Sequence, residues 1–401
     1  MAAPTAAAPT AAAPRIGVVG ADVPRQLVLA AGATPVRLSG AWSGEVSQEA
    51  AELLGAADAV AARVLDGVLS GAHDDLAGLV VCNDSMAHLR VYYVLRVLAG
   101  RGRFPFPVHL LDTPRGGGAH RNRFVARQYE RLADFATRCT GTPVDAATLA
   151  AAAARETSLG QALDRVRDRR RDRTLTGAAA LRCYAAAGRL TPEEAVAEIQ
   201  AVLDAATAPT TPPEAADGGA VPVFMTGSSH PDPSVYEELE RAGFSVVGED
   251  HDTGEGAWIG TAVPTGTAPA EAQSDPTPSQ RWGSGHFAPE GGGGTAEAAS
   301  PAEAFSALAE LHARRSPAAA RSLAAERTRH LLEAVETSGA AGVAALVRDL
   351  DDGPAWDLAD HREALAGSGR WLAAVVQVPA DGVPEATAEL LSRIHAQEAT
   401  S

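Results

Sequence analysis

From residue 15 onward, short apolar runs closed by glycine or a polar turn alternate with amphipathic stretches. The run IGVVG at 16–20 is continuous and β-branched, as a strand covered on both faces of a parallel sheet should be. Pro24 then opens a helix through Leu27, Leu29 and Ala30, with proline in the first turn where its missing N–H does no harm. Gly32 ends that helix, and TPVRL at 34–38 reads as the next strand. LAGLVVC at 76–82 is a further strand, followed by the turn Asn83-Asp84-Ser85 and a helix through Leu89, Tyr92, Tyr93 and Leu95. PVHLLDTPR at 107–115 is another strand, ending in a proline turn. Strand and helix in alternation, joined by short connections, predict an open parallel sheet.

The period then becomes helical. Phe124, Tyr129, Leu132, Phe135 and Cys139 recur near helical spacing, Asp145 caps a following helix, and Thr191-Pro192-Glu193-Glu194 starts another. A second strand–helix unit follows, with PVFMTGS at 222–228, a helix over 236–242 and FSVVGED at 244–250. Helices over 301–338 lead to AAGVAALVRDL at 340–350, a strand or helix–strand passage, then to the strand WLAAVVQVP at 371–379 and an amphipathic helix over 384–399. The expected organisation is an Ala/Pro tail (1–14), an N-terminal α/β domain (15–120), a helical connector (121–207), a linker (208–220) and a C-terminal α/β domain (221–401). That last domain carries a Gly/Pro-rich insertion over 261–300. The fold class is α/β, with two parallel-sheet domains of Rossmann or flavodoxin type joined by the connector.

Composition narrows the chemistry. A chain of 401 residues with 46% apolar but only 4% aromatic residues builds large cores from small aliphatic side chains. A net charge of −16 disfavours nucleic acid or an anionic membrane as partner, because phosphate is met by a basic face. The basic stretch 165–173 mixes arginine with aspartate and reads as the solvated face of a helix. The chain has no lysine; all 34 of its basic residues are arginine. That excludes Schiff-base chemistry with pyridoxal phosphate, a Walker-type phosphate loop and protein-kinase catalysis. Three cysteines, Cys82, Cys139 and Cys183, do not make a disulfide framework, so a reducing cytoplasm is expected. No window approaches the ~20 apolar residues of a membrane helix. The first fifteen residues lack the basic and leucine-rich regions of a secretory leader.

In open α/β sheets, ligands gather beyond the carboxyl ends of the strands. That singles out Gly20-Ala21-Asp22, Cys82-Asn83-Asp84, Thr226-Gly227-Ser228 and the segment 249–254. Within the last, alternation places Asp250 and Asp252 on one side of a continuing strand, which suits either a divalent metal or a plain polar edge.

Those same loops carry a family resemblance. VVGADVPRQLVLAAGATPVRLSG (18–40), LVVCNDSMAHLR (79–90), VHLLDTPR (108–115), TGTPVDAATLAAAAARET (140–157) and VFMTGSSHPDPSVYEELERAGFSVVGEDHDTGEG (223–256) resemble, in order and spacing, blocks of the 2-hydroxyacyl-CoA dehydratase family, large D-component subunit. They are also similar to the cluster-bearing subunits of benzoyl-CoA reductases. The resemblance implies a pair of related subunits, as a hetero- or homodimer, and an acyl-CoA substrate. It implies a separate ATP-dependent activator that donates one electron, and radical dehydration or ring reduction. It also implies an oxygen-sensitive 4Fe–4S cluster held by three cysteines from three loops.

Here only Cys82 stands at a cluster position. Asp252 occupies the second, and the third falls at about Leu350. A carboxylate is a hard ligand in place of a soft thiolate, so the implied cluster is in question. The resemblance marks Cys82 and Asp252 as the metal-side residues, while arginine chemistry at Arg37 and Arg115 and the strand-end position of Ser228 mark these three as substrate-side residues. The arginines suit phosphate of a CoA-type ligand, though they also fit as surface arginines. Two functions stay open. One is an enzyme subunit acting on an acyl-CoA. The other is a cluster-free family member, serving as a structural or binding subunit or turned to other chemistry.

Overall fold

The structure, a computed structural model, describes residues 13–206, 219–262, 300–318 and 321–399. Most of the expected tail, linker and Gly/Pro-rich insertion therefore lies outside the described residues.

The first half of the chain runs β1 (Arg15–Val19), α1 (Arg25–Ala30), β2 (Thr34–Arg37), α2 (Gln48–Leu54), α3 (Ala59–Leu69), β3 (Leu76–Cys82), α4 (Met86–Ala99) and β4 (Val108–Leu111). Its four strands pair in parallel in the order β2-β1-β3-β4. Helices α5 (Ala119–Thr140), α6 (Ala146–Arg171), α7 (Gly177–Arg189) and α8 (Pro192–Ala205) follow. The second half runs β5 (Val221–Gly227), α9 (Ser234–Arg241), β6 (Phe244–Glu249), α10 (Pro301–Ala313), α11 (Ala324–Ser338), β7 (Gly342–Arg348), α12 (Asp352–Gly367), β8 (Trp371–Val378) and α13 (Val383–Glu398). Its sheet is again parallel, in the order β6-β5-β7-β8. The two parallel sheets bear out the α/β reading, and the second repeats the strand order of the first.

The period-two alternation of strand side chains decides which core each residue joins. Ile16, Val18, Val80 and Cys82 face α1 and α5, where Leu27, Val28, Tyr129 and Leu132 cover them. Val19, Leu79 and Val81 face the other way, onto Leu65, Val91 and Leu95 of α3 and α4. In the second sheet, Val223, Met225, Ala344 and Leu346 pack toward α9 and α13, while Phe224, Val343, Ala345 and Val347 pack toward α11 and α12. Helix α10 crosses back to the first sheet, and Phe305, Leu308 and Leu311 join Tyr129 and Leu132 there. The first core thus draws on chain from both sides of the joint expected at 208–220.

The caps follow from side-chain chemistry. Asp145 and Thr191 each accept a hydrogen bond from the backbone N–H three residues on, and the side chains of Thr148 and Glu194 return the contact.

Candidate functional site

Both sheets end at one cleft of about 470 Å³. Each lobe delivers its first strand to the cleft through a glycine in the left-handed region, Gly20 at φ 97° and Gly227 at φ 106°. A Cβ on Gly20 would overlap the Asp84 carboxylate, and one on Gly227 would overlap the Leu346 carbonyl. Only glycine meets both the turn and the close approach.

Ion pairs join the lobes across this cleft. Arg37, at the end of β2, donates Nη2 to Asp252 Oδ2 at 2.7 Å and Nη1 to the Asp252 carbonyl at 2.5 Å. Arg348, at the end of β7, holds Asp58 with both prongs of its guanidinium, at 2.9 and 2.8 Å, and donates Nη1 to the Ser229 carbonyl at 2.6 Å. Asp58 is the N-cap of α3 and also accepts from Val60 N at 3.1 Å. Trp42 Nε1 donates to the same Ser229 carbonyl at 2.8 Å, and the Arg348 guanidinium lies 5.6 Å from the Trp42 ring centre. A two-pronged, buried arginine–carboxylate pair is geometrically exacting, so it fixes the lobes in register.

Four carboxylates at the strand ends differ sharply in ionisation. Burial opposes the charge of Asp22, but Arg115 and then Arg315 outweigh it and hold the carboxyl well below its ordinary range. Both guanidinia reach Asp22 Oδ1 at 2.6 Å. Burial likewise opposes the charge of Glu249, yet Arg170, at 2.5 Å, brings its pKa down to about 2. Asp252 is also held low, by Arg37 and then His88 acting against burial. Among the described residues, no cation pairs with Asp250. Burial pushes its pKa up to about 7, although the Thr226 hydroxyl donates to it at 3.0 Å. His251 is driven down to about 4 by burial and is neutral, with its ring nitrogens 2.7 Å from the Tyr236 hydroxyl and 3.0 Å from the Thr253 hydroxyl.

Asp252, Leu350, Arg37 and Arg115 all line the cleft. Leu350 is a leucine at φ 63°, a conformation that L side chains rarely adopt. Cys82 stands one layer behind the cleft wall. It is fully buried, and a Cβ on Gly20 would lie 2.7 Å from its own Cβ. Burial raises its thiol pKa well above the ordinary value, and the nearby Asp84 and Asp22 add to this. Ser228 is buried too. Its hydroxyl donates to Asp351 at 2.6 Å and accepts from Arg348 N at 2.9 Å. Arg115 is shut against Asp22 and the Ser316 carbonyl.

An iron–sulfur cluster of the expected kind needs several thiolates around one volume. The three cysteines lie on β3, α5 and α7, where Cys82 and Cys183 are buried and Cys139 half-buried. At the second cluster position Asp252 is neutralised by Arg37, and at the third Leu350 offers an alkyl group. Among the described residues, no three His, Cys, Asp or Glu side chains are grouped to hold a metal. The residues present do not fit the cluster.

Several cleft residues escaped the sequence reading. Asp58 and Arg348 are the main ones. His88, paired with Asp84 at 2.6 Å and held above its ordinary pKa by that carboxylate against the pull of burial, is another. The arginine that closes β7 was visible as a charge at a strand end, but its partner lies 290 residues away.

A family model described as the 2-hydroxyglutaryl-CoA dehydratase D-component matches residues 21–275. That span takes in the ends of β2, β3, β5 and β6 and stops before β7. No curated protein matches the chain. Among the described residues, no helix is long and apolar enough to cross a membrane.

Proposed function

The chain belongs to the 2-hydroxyglutaryl-CoA dehydratase D-component family, and on that premise we propose that it is a cluster-free binding subunit of a dehydratase-type assembly. It takes an acyl-CoA-type thioester into the interlobe cleft, beside a related partner subunit. The observation that carries the reading is the Arg37–Asp252 pair. At the strand end where the family places a thiolate, this chain has a carboxylate already neutralised by an arginine from the opposite lobe. The cleft volume is within the range of small-molecule sites.

The test is anaerobic purification with iron and sulfide analysis, followed by titration with an acyl-CoA. The expected protein is colourless, free of iron and acid-labile sulfide, and binds the thioester saturably. A brown protein carrying both elements, or one that binds no thioester, overturns the reading.

Asp250 favours a second reading in which the same site moves a proton on its ligand. A carboxyl group with a pKa near 7, hydrogen-bonded to Thr226 and lining the cleft, is poised as an acid or base. Turnover by the assembly that loses its pH dependence in Asp250→Asn supports that role; an unchanged pH profile removes it.

A further inference from the structure

Behind Arg37, where β1 and β2 of the first lobe face helices α6 and α7, lies a second hollow of about 310 Å³. Most of its wall is carbon, from Val18, Val23, Leu163, Leu181 and Trp258. The space exists because α7 turns Ala185, Ala187 and Gly188 toward it. It meets the polar cleft at Gly20, Arg37 and Thr253, which line both.

Polar groups that the fold leaves unpaired are set into that carbon. Arg25 is held from two sides, with Nε on buried Glu156 at 3.0 Å and Nη2 donating to the Leu190 carbonyl at 2.9 Å. Trp258 Nε1 donates to the other oxygen of Glu156 at 3.0 Å and fixes it in turn. The guanidinium is thereby pinned, and its third nitrogen, Nη1, is buried without a hydrogen-bond partner. Tyr184 and His230, exposed to only 4% and 2% in the same wall, have a hydroxyl and an Nε2 in the same condition. Arg189, next to Leu190, gives Nε to the Ala185 carbonyl at 3.3 Å, and among the described residues its two terminal nitrogens meet no acceptor. The other arginines of the wall are engaged, Arg37 by Asp252 and Arg182 by Glu237. The one acid in the wall, Asp232, is exposed and accepts from Ser234 N at 2.9 Å. A buried donor without a partner costs stability, so such atoms gathered around one space call for an acceptor from outside the chain.

We propose that this hollow is a second ligand site, built for a free carboxylic acid with a hydrocarbon body. The carboxylate lies between Arg25 Nη1 and the Arg189 guanidinium, and the hydrocarbon lies along Val23, Leu163 and Leu181. A guanidinium offers paired donors to the two oxygens of a carboxylate. A few placed polar groups in a carbon wall are the usual make-up of a small-molecule pocket. The ligand carries no thioester, so the assignment stands apart from the reading of the cleft.

Ligand-observed NMR titration of the whole chain with hexanoate, hexanamide and acetate tests it. Hexanoate is expected to bind about tenfold or more tightly than hexanamide, the scale of one charge-assisted hydrogen bond. Acetate, which has almost no hydrocarbon, is expected to bind more weakly than either. Arg25→Met and, separately, Arg189→Met should each lower hexanoate affinity about tenfold and hexanamide affinity by less. Ala185→Phe fills the hollow and should abolish binding of both. Thermal melting establishes that each variant is folded. Arg25→Met strips Glu156 of its cation, and if it does not fold, the exposed Arg189→Met and the wild-type comparison carry the test. Equal affinity for acid and amide, hexanoate binding indifferent to Arg189→Met and to Ala185→Phe, or no hexanoate binding by the wild-type chain overturns the site. None of these results bears on the thioester reading, which is tested with acyl-CoA.

Discussion

In the first lobe, the loop after β1 buries Asp22 between two arginines; in the second, the end of β6 gives way to Asp250, which has a threonine hydroxyl and, among the described residues, no cation partner. Both are aspartates beyond strand ends of the same architectural plan. One is held ionised far below its ordinary range and the other is pushed up to about 7. Burial acts in the same direction on both, so the partner decides the outcome. Glu249, one residue before Asp250, makes the point within a single segment, because Arg170 holds it down at about 2. The first lobe uses its strand-end charge as structure. The second keeps one carboxyl uncompensated, where it titrates near neutrality.

Asp22→Ala should give the largest effect. It leaves Arg115 and Arg315 buried without their counter-ion, at a cost of about 3–5 kcal/mol. The fall in denaturant midpoint measures this, and a loss under 1 kcal/mol, on the order of a surface change, would break the contrast between the lobes. Arg170→Met comes next, at about 3 kcal/mol, because Glu249 then resembles Asp250. Its carboxyl pKa, followed by isotope-edited NMR, should climb above the ordinary value.

The pH dependence of stability separates the two carboxylates further. Asp250 stays protonated in the folded chain to about pH 7, whereas in the unfolded chain it ionises above about pH 4. The folded state thus binds the extra proton across that window, and its contribution to stability falls as pH rises from about 4 to about 7. Asp250→Asn should flatten that fall, as read from denaturation midpoints across the window. Glu249 acts with the opposite sign. Its stabilisation is present above the ordinary glutamate pKa and is lost as pH drops toward 2. The smallest effect belongs to Cys82→Ala, about 1 kcal/mol from lost packing, with thioester affinity unchanged. In the native chain the Cys82 thiol should also resist alkylation.

The strands were legible because they are continuous apolar runs with no competing period. LAGLVVC at 76–82 became β3 without a residue's change, and the caps at Asp145 and Thr191 are where the side-chain chemistry placed them. The apolar pattern does not show helices α2, α3 and α12. In α12, DGPAWDLADHREALAG buries few large side chains and offers little apolar periodicity. The site was legible in outline only. Arg37 and Asp252 were singled out separately, for phosphate and metal, and nothing local shows that they bind each other across 215 residues. Register governs Cys82 in the same way. Sharing the face of Val80, its side chain turns into the core and not toward the cleft.

The return of α10 to the first sheet bears on how the molecule is made. Tyr129 and Leu132 leave the ribosome long before Phe305 and Leu308, the side chains that shield them. The first lobe is therefore synthesised unlidded and waits for its cover until most of the polypeptide has emerged. A fragment stopping at residue 206 is a lobe with an open flank, prone to sticking to its own kind, whereas a nick in the finished molecule between 206 and 219 should leave the pieces clasped together.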